Sequence, residues 1–201
     1  MLVSSRPRRS AALLVAAGLA LVASSVGTTT ASAATSAASS VGRGWGQPVD
    51  YDPVTGDPGS VSCASPSFCV AIDGPENAFT FDGSSWSGPT PLGFTQLAMQ
   101  VSCATASFCV AIGYEGTYAV WEGSSWSAPK PTGDRALISV SCPAVDRCAA
   151  LDQIGGATAF DGTSWTPVAH LRAGGAEQLS CATPTFCMAV FASGYSAVFD
   201  G

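Results

Sequence analysis

The sequence predicts an all-β fold built from four copies of one four-stranded unit, and three observations carry that prediction. The stretch VSCASPSFCV at residues 61–70 returns as VSCATASFCV, VSCPAVDRCA and LSCATPTFCM. The units start near residues 61, 101, 140 and 179, a period of 39 to 40 residues, which suits four short antiparallel strands. In every unit an acidic residue lies 19 positions after the first cysteine (Asp82, Glu122, Asp161 and Asp200), and in the first three a tryptophan lies 23 after it (Trp86, Trp126 and Trp165). A unit repeated without insertions needs its neighbours to bury its apolar face.

Within the first unit the strands fall at about 59–63, 68–73, 78–82 and 86–90. The intervening ASPS, DGPEN and DGSS are turn compositions, rich in residues that tolerate or hydrogen-bond a chain reversal. In the second strand Phe68, Val70 and Ile72 share one face while Cys69 and Ala71 share the other, the period-two pattern of a sheet. The position of Ala71 is alanine in every unit (Ala111, Ala150 and Ala189), which predicts a close approach of neighbouring sheets near a central axis. The aromatic residue before each acid, Phe81, Trp121, Phe160 or Phe199, predicts packing between sheets. No stretch carries sustained helical periodicity. The fourth unit reaches FDG at residues 199–201 without the tryptophan strand, whereas GWGQP at residues 44–48 resembles the SWSGP of the first unit. The expected architecture is therefore β-propeller-like, with four repeats of four antiparallel strands, closed by the N-terminal strand completing the last blade, the alternative being a sequence cut short with more blades to follow.

The unit S-C-x5-C followed by F-D-G-S-S-W resembles the repeat of secreted bacterial β-propeller-like proteins. Its TFDGSSW piece is similar to the Asp-box of sialidase-type propellers. The resemblance covers residues 44–201. It departs from the Asp-box pattern S/T-x-D-x-G-x-x-W, because Gly83 follows Asp82 directly and Glu122 replaces the aspartate in the second unit. In that family the box is a structural turn between the third and fourth strands, so the resemblance implies a fold rather than an activity. Sialidase-type catalysis would imply an arginine cluster and a tyrosine activated by a glutamate. Here Arg43, Arg135, Arg147 and Arg172 are scattered without repeat register.

The start MLVSSRPRRS, the apolar run AALLVAAGLALVA and an A-x-A site at Ala31, Ser32 and Ala33 mark residues 1–33 as a secretory signal peptide. Residues 34–43 form a small, polar, flexible lead-in, and residues 44–201 form a single repeat domain long enough for one core. The expected location is extracellular. Removing residues 1–33 takes Arg6, Arg8 and Arg9 and leaves 5 basic against 14 acidic residues, a net charge of −9. An acidic surface with Lys130 as its single lysine lacks the phosphate-neutralising contacts of a nucleic-acid binder and is repelled by anionic lipid. No later segment reaches the roughly 18 apolar residues of a spanning helix, so no membrane partner is expected after cleavage.

All 8 cysteines fall into pairs of one spacing: Cys63 with Cys69, Cys103 with Cys109, Cys142 with Cys148, and Cys181 with Cys187. In an exported chain they read as disulfides, and repeat symmetry favours the pairing that each unit completes by itself. Zinc is the rival reading, but the C-x2-C knuckle and accompanying histidines are missing. No metal or cofactor is expected. The sole histidine, His170, lies in a linker with no G-x-S-x-G elsewhere, and Asp50, Asp52 and Asp57 offer oxygens without a calcium-loop pattern.

A meander divides its turns into two sets. The C-x5-C and DGSS connections share one end of the sheets and hardly vary. The second-to-third turns DGPEN, GYEGT, DQIGG and FASGY share the other end with the linkers, and differ in every unit. A constant scaffold with one diversified end is how loop-borne binding surfaces are carried. The candidate binding residues there are Asp73, Glu76, Tyr114, Glu115, Asp152, Gln153 and Tyr195, whose rings and carboxylates suit sugar or peptide contact. The acids among them stand outside the strict repeat and would serve a glycoside hydrolase, which needs two carboxylates at a set separation. The expected function is a noncatalytic binding module for extracellular polysaccharide or protein. A glycan-cleaving enzyme and a self-associating surface protein are the alternatives.

Overall fold

The computed structural model describes residues 44–53, 57–133, 136–171 and 175–201, so the expected signal peptide and lead-in lie outside the described residues. Four antiparallel sheets follow one another in chain order. The first holds β1 (Pro58–Ser65), β2 (Phe68–Asp73), β3 (Asn77–Phe81) and β4 (Trp86–Pro91). The second holds β5 (Ala98–Thr105), β6 (Phe108–Gly113), β7 (Thr117–Trp121) and β8 (Lys130–Pro131). The third holds β9 (Leu137–Ala144), β10 (Arg147–Asp152), β11 (Gly156–Phe160) and β12 (Trp165–His170). The fourth holds β13 (Ala176–Thr183), β14 (Phe186–Phe191) and β15 (Ser196–Phe199). All belong to one compact unit, residues 47–201.

The first hairpin of each sheet sets two cysteines across from each other. Cys63 pairs in register with Cys69, Cys103 with Cys109 and Cys181 with Cys187, and all four expected disulfides form, with Cα atoms 3.9–4.0 Å apart. The third hairpin turns on the acid of the repeat. Asp82 Oδ1 accepts the backbone N–H groups of Ser84 (2.9 Å) and Ser85 (2.8 Å) and the Ser84 hydroxyl (2.8 Å). Asp161 accepts the equivalent bonds from Thr163 and Ser164 at 2.8–2.9 Å. The next residue is left-handed in each case (Gly83 φ 96°, Gly123 φ 87°, Gly162 φ 99°), a backbone that glycine adopts without steric cost. The Asp-box-like segment is thus a turn device.

These bonds favour the ionised carboxylate. The Ser85 N–H, followed by the Ser84 hydroxyl and N–H, lowers Asp82 to about 2, and the Ser164 and Thr163 bonds lower Asp161 to about 2. A carboxylate depressed on folding adds stability above its unfolded value near 4, and that contribution fades as pH falls through about 2. Both carboxyl resonances are therefore expected to titrate with midpoints near 2, while acid unfolding sets in below pH of about 4. Carbon-detected NMR titration of the side-chain carboxyls checks this.

The alternation expected in the second strand is what joins the sheets. Val70, Ile72 and Ala78 face forward and meet Val101, Cys109, Ala111 and Ala119 on the rear face of the second sheet. Val110, Ile112 and Tyr118 likewise meet Val140, Cys142, Cys148 and Ala150 of the third. Leu151 meets Leu179, Cys187 and Ala189 of the fourth. The repeated alanines, Ala71, Ala111, Ala150 and Ala189, are all buried, as close sheet approach requires. The serine before each cysteine latches the joint: Ser62, Ser102 and Ser141 accept the N–H of Cys103, Cys142 and Cys181 in the following sheet, each at 2.9 Å. Aromatic packing crosses two of the joints: Phe68 meets Trp121 at 6.3 Å between ring centroids, and Tyr118 meets Phe160 at 5.5 Å and Trp165 at 5.9 Å. Phe81 with Trp86, Trp121 with Trp126 and Phe160 with Trp165 pack within their own sheets, ring centroids 5.2–5.7 Å apart.

Two features differ from expectation. The fourth strand of the second unit shrinks to β8 and an isolated Trp121–Trp126 bridge. There the Ser127 hydroxyl takes the Val120 N–H (3.1 Å); proline alone does not account for the difference, since Pro89 holds the same position inside β4. Ring closure is not shown among the described residues: β1 packs on β5, β5 on β9 and β9 on β13, with no comparable packing of β13 on β1. The fourth sheet has three strands, and residues 44–50 form none.

Candidate functional site at the variable end

The variable turns and the linkers are tied together. The N–H of Gly74 donates to the Asp57 carbonyl (2.9 Å), that of Tyr114 to Leu97 (2.9 Å) and that of Ala192 to Gly175 (3.0 Å). Three of the four turns are thus fastened to the linker that precedes their own sheet. The opposite end is built from the hairpin turns, where Gly83 lies against Ser67 and Gly123 against Ser107. The division into a constant and a variable end holds in the structure.

The structure sorts the candidate residues into a frame and a surface. Asp73 and Asp152 are buried, and each lies ten residues after the first cysteine of its unit, so the two share a register position that the sequence reading missed. Asp73 accepts the Asn77 N–H (2.6 Å) and side-chain amide (2.9 Å). Asp152 accepts the N–H groups of Gly156 (2.6 Å) and Ile154 (3.0 Å). Both carboxylates hold their turns. Glu115, although exposed, is bound to the linker through the Thr95 hydroxyl and the Gln96 amide, the latter at 2.5 Å.

Glu76 is half-buried at φ 67°, the position occupied by Gly116, Gly155 and Gly194 in the other turns. Its carbonyl accepts the Leu92 N–H (2.8 Å), as that of Gly116 accepts Thr132 and that of Gly155 accepts Leu171, both at 2.7 Å. Left-handed backbone costs a residue with a Cβ about 1–2 kcal/mol, and the freedom of unfolded glycine returns only part of that. Glu76→Gly is expected to raise the stability by about 1 kcal/mol, read as a higher midpoint in a urea titration with unchanged slope.

Tyr114, Gln153 and Tyr195 remain as surface groups. Two further exposed residues join them at this end: Leu97, in a linker, and Ile154, in the third turn. Their exposures are 54% for Leu97, 39% for Tyr114, 58% for Ile154 and 68% for Tyr195. Ile154 was legible as the apolar residue in DQIGG, a turn that otherwise asks for polar or small side chains. A cleft of 630 Å³ also opens at this end of the third sheet, lined by Thr132, Gly133, Asp152, Trp165, Pro167 and His170. Among the described residues no group of three histidine, cysteine or acidic side chains is placed to hold a metal ion. The arrangement leaves two rings and two aliphatic groups exposed on the turns and linker of one end.

Fold and site together define an all-β, disulfide-rich repeat protein of β-propeller-like build that presents one diversified end. Comparison with solved structures agrees on the fold. The chain is similar to YCF48 bound to D1 peptide (16% identity, TM-score 0.56, covering 70% of this chain and 50% of that one). It is similar to YCF48 from Cyanidioschyzon merolae (16%, TM-score 0.58, covering 72% and 51%), and to the computationally designed Ika4 protein (11%, TM-score 0.60, covering 78% and 100%). YCF48 is a β-propeller, and the chain spans about half the length of the YCF48 chains it matches. No family model and no curated protein matches the sequence.

Proposed function

We propose that the chain is an exported, noncatalytic binding module that takes an extracellular polypeptide segment or polysaccharide on its variable end. The observation that carries this reading is the exposure of Leu97, Tyr114, Ile154 and Tyr195 at one end of the repeat. Aromatic and aliphatic groups on turns fixed by backbone hydrogen bonds bind extended ligands at small entropic cost, because little is left to order. The acids that a glycosidase would need are engaged elsewhere, Asp73 and Asp152 in their turns and Glu115 in its linker. Four disulfides suit an oxidising, extracellular setting, and the leader-like residues 1–33 support export. Among the described residues no helix is long and apolar enough to cross a membrane. The complex of YCF48 with a peptide supports a polypeptide ligand on a scaffold of this kind.

The test is cosedimentation of the oxidised protein with chitin, cellulose, xylan and peptidoglycan, with reducing-sugar release assayed in the same tubes, alongside pull-down of extracellular protein. Retention without release is the expected result. Release of sugar would overturn the noncatalytic reading and direct attention to the cleft containing Asp152 and His170.

A further inference from the structure

Charge is divided unevenly along the chain. Residues 44–129, which run from the N-terminal segment through β7, hold eight acidic residues and no lysine, arginine or histidine, a charge of −8. Residues 130–201 hold six acidic residues against four lysines and arginines, a charge of −2. Of the eight acids in the first stretch, Asp82 and Glu122 stand in the constant turns, whereas Asp57, Asp73, Glu76 and Glu115 stand in the turns and linker of the variable end. Fields of like charges add, so the variable end of the first two sheets is a negative surface with no basic residue in its turns or in the linkers before them.

Apolar groups gather at the same place. The linker residue that receives a turn N–H is Asp57 for Gly74, Leu97 for Tyr114 and Gly175 for Ala192. Of these three pairs, the second has a large apolar or aromatic side chain on both members, and both are exposed. Leu97 also reaches the first unit: a Cβ on Gly74 would lie 3.8 Å from Leu97 Cδ2 and 2.6 Å from Asp57 Oδ2. The aliphatic group and the carboxylate thus flank one glycine, whose missing side chain leaves both open to the same ligand. Asp57 is exposed, and unlike the carboxylates of Asp73 and Glu115 its own accepts no hydrogen bond among the described residues.

We infer that the ligand of the variable end is a cationic polypeptide segment, which lays a lysine or arginine side chain across Leu97 and Tyr114 and sets its charge at Asp57. The inference rests on the binding-module reading and names the ligand class for it. Such a side chain is an aliphatic stem ending in a cation, so its stem needs apolar cover and its head a carboxylate a few ångströms away. The Tyr114 ring adds a face that attracts a cation. A polysaccharide fits this place less well, because an amino sugar carries its ammonium directly on a hydroxylated ring, and Leu97 gives those hydroxyls no partner. Nucleic acid and anionic glycans are repelled by the same field.

The test is fluorescence anisotropy of the oxidised protein with three probes carrying the same fluorophore: a decapeptide of alternating lysine and serine, its glutamate–serine counterpart, and a chitosan hexamer. The lysine peptide is expected to bind and the other two to stay free. Asp57→Asn, Leu97→Ala and Tyr114→Ala are each expected to weaken that binding about three- to fivefold at an unchanged melting temperature. Glu122→Gln removes the same charge as Asp57→Asn, but from the constant end, and is expected to weaken it less than about 1.5-fold. Equal effects of Asp57→Asn and Glu122→Gln would reduce the binding to general attraction and overturn the proposal. So would a chitosan hexamer that binds as tightly as the lysine peptide. If the lysine peptide does not bind while a polysaccharide is retained in cosedimentation, the cationic-polypeptide assignment falls and the binding-module reading stands; if nothing is retained, both fall.

Discussion

Reduction of the four disulfides is expected to cost the domain about 8 kcal/mol, most of the roughly 5–15 kcal/mol that a domain commands. Each bridge closes a short loop, with a sequence separation of 6, and restricting a loop of that length in the unfolded chain is worth about 2 kcal/mol. A thermal melt followed by circular dichroism should therefore fall by about 20 °C or more in reductant, or lose its cooperative transition. The order of loss is also fixed by burial. Cys63 is exposed on the open rear face of the first sheet, whereas Cys109, Cys142, Cys148 and Cys187 are buried in joints. Partial reduction followed by alkylation and peptide mapping should label Cys63 and Cys69 first. An unchanged melting temperature would show that the joints alone hold the fold.

Two isoleucines with opposite burial give the second large effect. Ile112 is fully buried between the second and third sheets, packed with Leu137, Val140 and Ala150, and no water can refill its place. Ile112→Ala is expected to destabilise by about 2–5 kcal/mol, the transfer of the side chain plus the cavity left behind. Ile154→Ala removes the same atoms from an exposed turn and is expected to change stability by less than about 0.5 kcal/mol, while weakening ligand retention. Urea unfolding of both variants, with binding measured on each, separates the joint from the surface. Equal losses of stability at the two sites would contradict the assignment of Ile112 to the joint and Ile154 to the variable end.

The fold was legible because repetition multiplies a weak signal. One C-x5-C hairpin is ambiguous, but four in a period of 39 to 40 residues fix strand order, turn positions and disulfide pairing together. The inward faces followed from alternation, since Val70 and Ile72 on one side and Ala71 on the other need only the pleat of a strand. The serine latch escaped because serine beside cysteine looks like ordinary surface polarity until the neighbouring sheet is in place. Closure is not legible in the same way: the register of Trp45 shows which strand it resembles but not which sheet it completes.

The candidate site was half legible. The variable end and its rings, Tyr114 and Tyr195, stand where the turn pattern put them. The acids did not behave as surface groups, because a carboxylate at the end of a strand can satisfy the N–H groups of its own turn, as Asp73 and Asp152 do. Composition marks an acid in a loop without saying whether it faces water or the backbone. Leu97 and Ile154 were passed over for the converse reason: single apolar residues in loops are common, and only their shared placement at one end with two tyrosines gives them weight.

The measurement that bears most directly on the binding assignment compares the wild type with a Tyr114→Ala/Tyr195→Ala variant against whichever material retains the protein. Both tyrosines are exposed, so the variant should keep its melting temperature while its affinity falls by about tenfold or more, and neither protein should release product from the material. Equal retention of the two proteins, or turnover of the bound material, would contradict a noncatalytic binding surface at the variable end.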